Sequence, residues 1–285
     1  MRLAKFLKSA ETTPSVGLVE GDLIHPIGQG SEALTELLNS PDRVDRIRSQ
    51  IAKGPEPVRL GDVTLLAPID RHEVWGAGVT YLRSKVARQE ESEQGGSFYD
   101  LVYRAPRPEL FFKATPSRVV GPGQAIGVRR DTRWCVPEPE LALVLSASLE
   151  LVGFTVGNDV SARDIEGENP LYLPQAKVYD ACCALGPFIT LASAMPPPEE
   201  QVITLQIRRG GELAFEGTTS VARMARSFDE LIRWLGINNS FPDGVVLLTG
   251  TGVVPPDEFT LSDGDQVAIT IAGIGTLANS ARQYS

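Results

Sequence analysis

Apolar residues in this chain fall into short runs closed by glycine and proline, and only a few stretches carry the wider spacing of a helix. Short apolar runs between turn residues read as strands. The first, Met1-Arg-Leu-Ala-Lys-Phe-Leu-Lys8, fits an opening strand. Ser15-Val-Gly-Leu-Val-Glu-Gly-Asp-Leu-Ile-His-Pro26 fits a hairpin turning at Glu20-Gly-Asp22. Ser31 is placed to cap a helix running through Leu38 and ending before Pro41, and a polar helix is expected over 42–53. A strand over 63–69 leads out of this region. Further strands are expected at 74–78, 118–120, 142–145, 152–156, 188–190, 203–208, 245–249 and 266–271. Gly210-Gly211 marks a tight hairpin. Ser227-Phe-Asp-Glu-Leu-Ile-Arg-Trp-Leu-Gly236 carries a complete helix signature, with Ser227 as cap, Glu230 at the third helical position and Gly236 as stop. The expected fold is therefore α+β and β-rich, with a small N-terminal α/β module at 1–70 and a larger domain at 71–285.

The stretch 81–106 breaks this pattern. It is polar, helix-prone in its first half and interrupted by Gly95-Gly96. It follows directly on the strand end Gly76-Ala-Gly-Val-Thr80, and by its composition alone it reads as a solvated helical hairpin on the surface.

Composition narrows the class. At 285 residues and 42% hydrophobic, the chain can bury a full core. The net charge of −9 argues against nucleic acid as a partner. No apolar run approaches the length of a membrane span. The three cysteines, Cys135, Cys182 and Cys183, have neither disulfide nor zinc spacing. A reducing, cytoplasmic setting is expected.

The chemistry concentrates in Val136-Pro-Glu-Pro-Glu140 and, one strand later, Gly157-Asn-Asp-Val-Ser-Ala-Arg-Asp164. Residues two apart on a strand point the same way, so Glu138 and Glu140 can converge, with Asp159 supplied by the next strand. Three carboxylates beside an apolar core repel one another unless a cation sits between them. All-oxygen ligands suit Mg²⁺, or Mn²⁺. The alternative is two surface glutamates at a strand start and an aspartate in a turn.

Together these motifs resemble the fumarylacetoacetate hydrolase superfamily, whose members hold one divalent metal with a Glu-x-Glu pair and an Asp from an Asn-Asp-x-(Ser/Thr)-x-Arg-Asp segment. Here the matching positions are Glu138, Glu140 and Asp159, followed by Arg163. Lys177, upstream of Gly186-Pro187, and the turn Thr249-Gly-Thr-Gly252 complete the match, which runs from about residue 70 to 280. The resemblance implies a mixed β-roll, a 2-keto acid as small-molecule partner, a metal-stabilised enolate, and a homodimer or homotetramer. Lys177 and Arg163 would add positive charge around the substrate; otherwise they are structural ion pairs with residues such as Asp164 or Asp180. Thr251, and with less reason Thr249, could hydrogen-bond a substrate carboxylate.

The resemblance makes 81–106 a candidate lid over the metal, on which the C–C hydrolases of the superfamily carry a His and a Glu to activate water. Those positions here are Ser84 and Ala87, and the two histidines of the chain, His25 and His72, lie elsewhere. The run Asp164-Ile-Glu-Gly-Glu-Asn-Pro-Leu-Tyr-Leu-Pro-Gln-Ala-Lys177 instead resembles the 2-keto-3-deoxy pentonate dehydratases. Dehydration needs a base at C3 and an acid at C4, with no water nucleophile. Glu90 or Glu91 is the candidate base, Lys113 or Lys177 the candidate aid to the leaving group, and Glu166, Glu168, Tyr172 and Gln175 candidates for the polyol end. Hydrolysis of an acylpyruvate-like diketo acid is the alternative activity, and a keto-acid-binding module without catalysis is a third reading.

Overall fold

The structure is a computed structural model, and it describes residues 1–81 and 101–284. Its framework is a mixed sheet whose main path runs Val58–Arg59, Leu23–Gln29, Ser15–Glu20, Arg2–Lys8, Cys183–Leu191, Leu151–Asp159, Pro139–Leu145, Val245–Leu248, Glu73–Gly78 and Glu109–Ala114. A second sheet of five strands orders Glu212–Ser220, Val202–Arg209, Gln266–Ile271, Gly275–Gln283 and Ala125–Val128. Most neighbours are antiparallel, but Val245–Leu248 runs parallel to Glu73–Gly78, and Gly275–Gln283 parallel to Ala125–Val128.

Alternation along the strands explains the layering. Leu141, Leu143 and Leu145 face the second sheet and pack with Ile203, Leu205, Ile207, Ile269 and Leu277. The residues between them point the other way. Val144 joins Leu34, Leu37, Leu38 and Ile47 of the two N-terminal helices, and Ala142 joins Val74, Val246 and Leu248. A strand covered on both faces has no polar side to show, hence the unbroken run Leu-Ala-Leu-Val-Leu.

The N-terminal region does not form a sheet of its own. Its strand Arg2–Lys8 pairs with Cys183–Leu191, and its helices share a core with Val152, Ile189 and Leu191 of the large sheet. Several elements end differently from the sequence reading. The first helix spans Ala33–Leu38 and takes no side-chain cap, so Ser31 is not its N-cap. The strand expected over 63–69 covers only Val63–Leu65, with Pro68, which cannot donate to a ladder, close behind. The start of the 118–120 strand is a 3₁₀ turn over Pro116–Arg118, and the strand keeps only Val119–Val120. Ser227 does cap the helix Phe228–Leu235, accepting the Glu230 N–H at 3.2 Å. Gly210 and Gly211, at φ +59° and +88°, make the hairpin turn between Val202–Arg209 and Glu212–Ser220.

A buried polar cluster fastens the N-terminal strands to the start of the main domain. Lys5 Nζ donates to Asp70 Oδ1 and to the Ile69 carbonyl, both at 2.5 Å, while Asp70 Oδ2 accepts the Thr35 N–H and hydroxyl. His72, 1% exposed, accepts the Asp70 N–H on Nδ1. Burial pushes its pKa down to about 4, against the pull of Asp70. The unfolded chain, with an ordinary histidine near 6.5, therefore takes up a proton before the native state does. Stability is complete above pH 6.5 and falls as pH drops toward 4, by about 3 kcal/mol over the window. Denaturant unfolding at several pH values should show that slope in the wild type and its loss in His72→Gln; parallel curves would count against it.

Among the described residues, no helix is long and apolar enough to cross a membrane.

Candidate active site

Glu140 lies on Pro139–Leu145, and Glu138 immediately precedes that strand. Glu138 continues the ladder, its carbonyl accepting the Asp159 N–H at 3.0 Å. Proline at 139 removes one N–H and fixes φ, so the chain enters the strand extended with its two glutamates on one side. Asp159 ends the neighbouring strand Leu151–Asp159. A two-stranded ladder, Cys135–Val136 with Ser161–Ala162, then turns the chain and starts the helix Arg163–Glu168. Ligand atoms of Glu138, Glu140 and Asp159 all lie within 4.8 Å of one another.

Cations surround two of the three carboxylates. Glu138 Oε1 meets Arg163 Nη2 at 2.7 Å and its Oε2 accepts from Lys177 Nζ at 2.8 Å. Asp159 Oδ2 also accepts from Lys177, at 2.9 Å, and Oδ1 meets Lys113 Nζ at 2.5 Å. Ser161 Oγ, 2.5 Å from Lys177 Nζ, is that lysine's third partner. Burial alone would lower the Lys113 pKa, but Asp159, helped by Cys182, outweighs it and holds the ammonium above its usual value.

Glu140 differs. Its Oε2 accepts the Gly250 N–H at 2.5 Å, and among the described residues it has no ion pair. Burial, then the Asp159 and Glu138 charges, push its pKa well above the carboxylate range, with Lys177 and the Gly250 bond opposing. Thr80 holds the Gly250 turn in place. Its hydroxyl donates to the Thr249 carbonyl at 2.6 Å, and a Cβ on Gly250 would sit 2.1 Å from the Thr80 hydroxyl oxygen. Val79, between Gly78 and Thr80, has φ +53°, costly for a β-branched residue and held by its surroundings.

The carboxylates border a cavity of about 10 Å³ walled also by Ala77, Gly78, Val79, Phe111, Arg163, Gly250 and Thr251. That is room for roughly one water-sized species. An all-oxygen donor set, a volume of this size and one carboxylate without an ion pair among the described residues fit a hard divalent cation such as Mg²⁺ or Mn²⁺.

The strand Glu109–Ala114 carries the expected Lys113 and adds two groups that the sequence reading gave no role, Glu109 and Phe111. Glu109, Phe111 and Lys113 share one face. Glu109 pairs in register with Gly78, where a Cβ would lie 2.0 Å from its Oε2, and Phe111 lies over Gly76 in the same way. Glycine on the neighbouring strand is what admits a carboxylate beside the cavity. The available signal was the alternation Glu-x-Phe-x-Lys opposite Gly-x-Gly.

Other expected residues are distributed unevenly. Thr251 walls the cavity, its hydroxyl donating to the Val253 carbonyl at 3.0 Å. Thr249 is a strand-end residue whose hydroxyl donates to the Leu141 carbonyl at 2.8 Å. Glu166 is buried, with Oε2 3.9 Å from Arg163 Nε. Tyr172, Gln175 and Glu168 are exposed and off the cavity wall. Arg163 and Lys177 do not pair with Asp164 or Asp180; Asp164 instead accepts from Thr132 and from the Arg133 N–H. Glu90 and Glu91, with Ser84 and Ala87, lie outside the described residues.

Comparison with known proteins gives consistent matches. Residues 73–282 match the family described as fumarylacetoacetate (FAA) hydrolase C-terminal. The chain is 51% identical over 239 residues to a probable 2-keto-3-deoxyxylonate dehydratase of Haloferax volcanii, covering 83% of this chain and 82% of that one. It is 46% identical over 231 residues to the 2-dehydro-3-deoxy-D-arabinonate dehydratase of Saccharolobus solfataricus, covering 79% and 76%. A solved structure of 2-keto-3-deoxy-D-arabinonate dehydratase complexed with magnesium and 2,5-dioxopentanoate superposes with a TM-score of 0.84 at 37% identity, covering 100% of this chain and 99% of that one.

Proposed function

The chain belongs to the fumarylacetoacetate hydrolase family, and we propose that within it the protein is a Mg²⁺-dependent dehydratase converting a 2-keto-3-deoxypentonate to 2,5-dioxopentanoate. The observation that carries this reading is the convergence of Glu138, Glu140 and Asp159 beside Arg163 and Lys177, in a chain so similar to two sugar-acid dehydratases.

The reaction balances without a co-reactant. A proton leaves C3 and hydroxide leaves C4, which together make one water and a C3–C4 double bond. A proton then moves from C5 to C3, and the resulting enol becomes the C5 aldehyde. Glu138, Glu140 and Asp159 would hold the cation, which when bound supplies positive charge to the keto oxygen as negative charge develops there.

The rest falls to the chain's own side chains. Arg163, on the cavity wall, presents a fixed positive charge for the substrate carboxylate. Lys177 bridges Glu138 and Asp159 and adds positive charge beside the site. Glu109, packed over Gly78 of the cavity wall without lining the cavity itself, is one candidate to take the C3 proton; Glu90 is the other, from sequence alone. Glu109→Gln should lower kcat by roughly 10²-fold or more and leave cation affinity unchanged. The same loss in Glu90→Gln, with Glu109→Gln unaffected, would move the base to residue 90.

The test of the reading is mass spectrometry of the products formed with Mg²⁺ from both configurations of a 2-keto-3-deoxypentonate, with acetylpyruvate in parallel. A product lighter by one water from the sugar acid, lost on chelation, is expected. Pyruvate and acetate from acetylpyruvate, with the sugar acid untouched, would overturn it in favour of C–C hydrolysis.

A further inference from the structure

We propose that Lys113 is a positioning residue of the cation site, acting through Asp159 and the chain around Lys177, and not a group that meets the substrate. The inference rests on the reading of the site given above. Lys113 is 0% exposed and is absent from the cavity wall, although Phe111, two residues earlier on the same face, is part of that wall.

Its ammonium is fully engaged. Nζ lies 2.5 Å from Asp159 Oδ1, 2.5 Å from the Lys177 carbonyl and 3.0 Å from the Val160 carbonyl. The ammonium donates to two buried carbonyls and its charge is paired with the Asp159 carboxylate; it has no lone pair and no idle charge to offer a substrate. The Tyr179 ring centroid, 5.8 Å from Nζ, closes one side, and the Tyr179 hydroxyl donates to the same Val160 carbonyl at 3.1 Å. To hand a proton to a departing hydroxide, Lys113 would have to abandon a buried carboxylate and two buried carbonyls.

What the arrangement does is join three pieces of chain. Asp159 brings its carboxylate, Val160 the turn after it, and Lys177 the end of the helix Leu173–Lys177. With Lys177 Nζ on Oδ2 and Lys113 Nζ paired with Oδ1, the Asp159 carboxylate is held from two sides. Partners that orient a ligating carboxylate are typically worth roughly 10- to 100-fold in metal affinity or activity.

The test uses metal-free full-length protein titrated with Mn²⁺ by calorimetry. Lys113→Met should bind Mn²⁺ roughly 10- to 100-fold more weakly, with a lower kcat at saturating Mn²⁺ and an unchanged KM for the sugar acid. Lys113→Arg keeps the charge but misplaces it, so it too should bind Mn²⁺ several-fold more weakly, and it keeps the test available if the methionine variant does not fold. Wild-type Mn²⁺ affinity in both variants would overturn the proposal. So would a loss of kcat with unchanged affinity and a pH profile stripped of its basic limb, which would make Lys113 a proton donor. Failure of the wild type itself to bind Mn²⁺ or to dehydrate the sugar acid would instead strike the underlying reading.

Discussion

Replacing Glu140 with glutamine should leave a folded protein that is at least as stable as the wild type without divalent cation, and catalytically dead. Glu140 is buried, repelled by Asp159 and Glu138, and supported directly only by the Gly250 N–H among the described residues. Its native pKa is raised above the unfolded value, so the native state holds a proton that the unfolded chain has released. A raised pKa of this kind destabilises the native state progressively as pH climbs through the carboxylate range and beyond. Glutamine keeps the shape, accepts the same N–H and removes the repulsion. It also removes one of three ligands, so kcat/KM should fall by about 10³-fold or more, the scale at which charge stabilisation of a transition state operates. Thermal unfolding with and without Mg²⁺ checks both halves: the wild type should gain stability on adding the cation and the glutamine variant should not. A variant that is less stable without metal, or that turns over at near the wild-type rate, would remove Glu140 from the site.

The second large effect is expected at Lys177. Its ammonium, 0% exposed, bridges Glu138 and Asp159, bonds Ser161 and lies 5.5 Å from the Phe111 ring centroid. Methionine fills nearly the same volume without the charge. Removing one member of a buried ionic cluster typically costs 3–5 kcal/mol, because the remaining charges stay buried. Glu138 keeps Arg163 and Asp159 keeps Lys113, which puts the expected loss near about 3 kcal/mol in the metal-free protein. A divalent cation should restore part of it, so the Mg²⁺-induced rise in Tm should be larger for Lys177→Met than for the wild type. Turnover should drop by about 10²- to 10⁴-fold. Equal Mg²⁺ shifts in both proteins would mean that lysine and cation do not share the same carboxylates.

Much of this was readable from the chain. The Glu-x-Glu pair and the Asn-Asp segment announce themselves because strand alternation turns spacing into direction. The fold class followed from short runs between glycines and prolines. What escaped depends on which strand lies beside which. Glu109 comes to lie over Gly78 of the cavity wall only through the pairing of the two strands, a register that nothing local in either segment dictates. The junction of Arg2–Lys8 with Cys183–Leu191, which draws the N-terminal region into the main sheet, is likewise a pairing between distant segments. Tyr172 and Gln175, from the motif that runs to Lys177, are exposed and do not line the described cavity.

The position of Val245–Leu248 governs how the molecule is made. That strand sits inside the large sheet, between Pro139–Leu145 and Glu73–Gly78, and the Gly250 N–H just beyond it reaches a carboxylate 110 residues earlier in the chain. On the ribosome, both neighbours of the missing strand are synthesised long before it and must wait with unpaired edges. Topologies built on such distant pairings fold slowly and expose themselves to aggregation in the interval. A nascent or truncated chain ending before residue 245 is expected to stick to its own kind instead of settling into a smaller working enzyme, and expression at low temperature or with chaperones should raise the yield of intact protein.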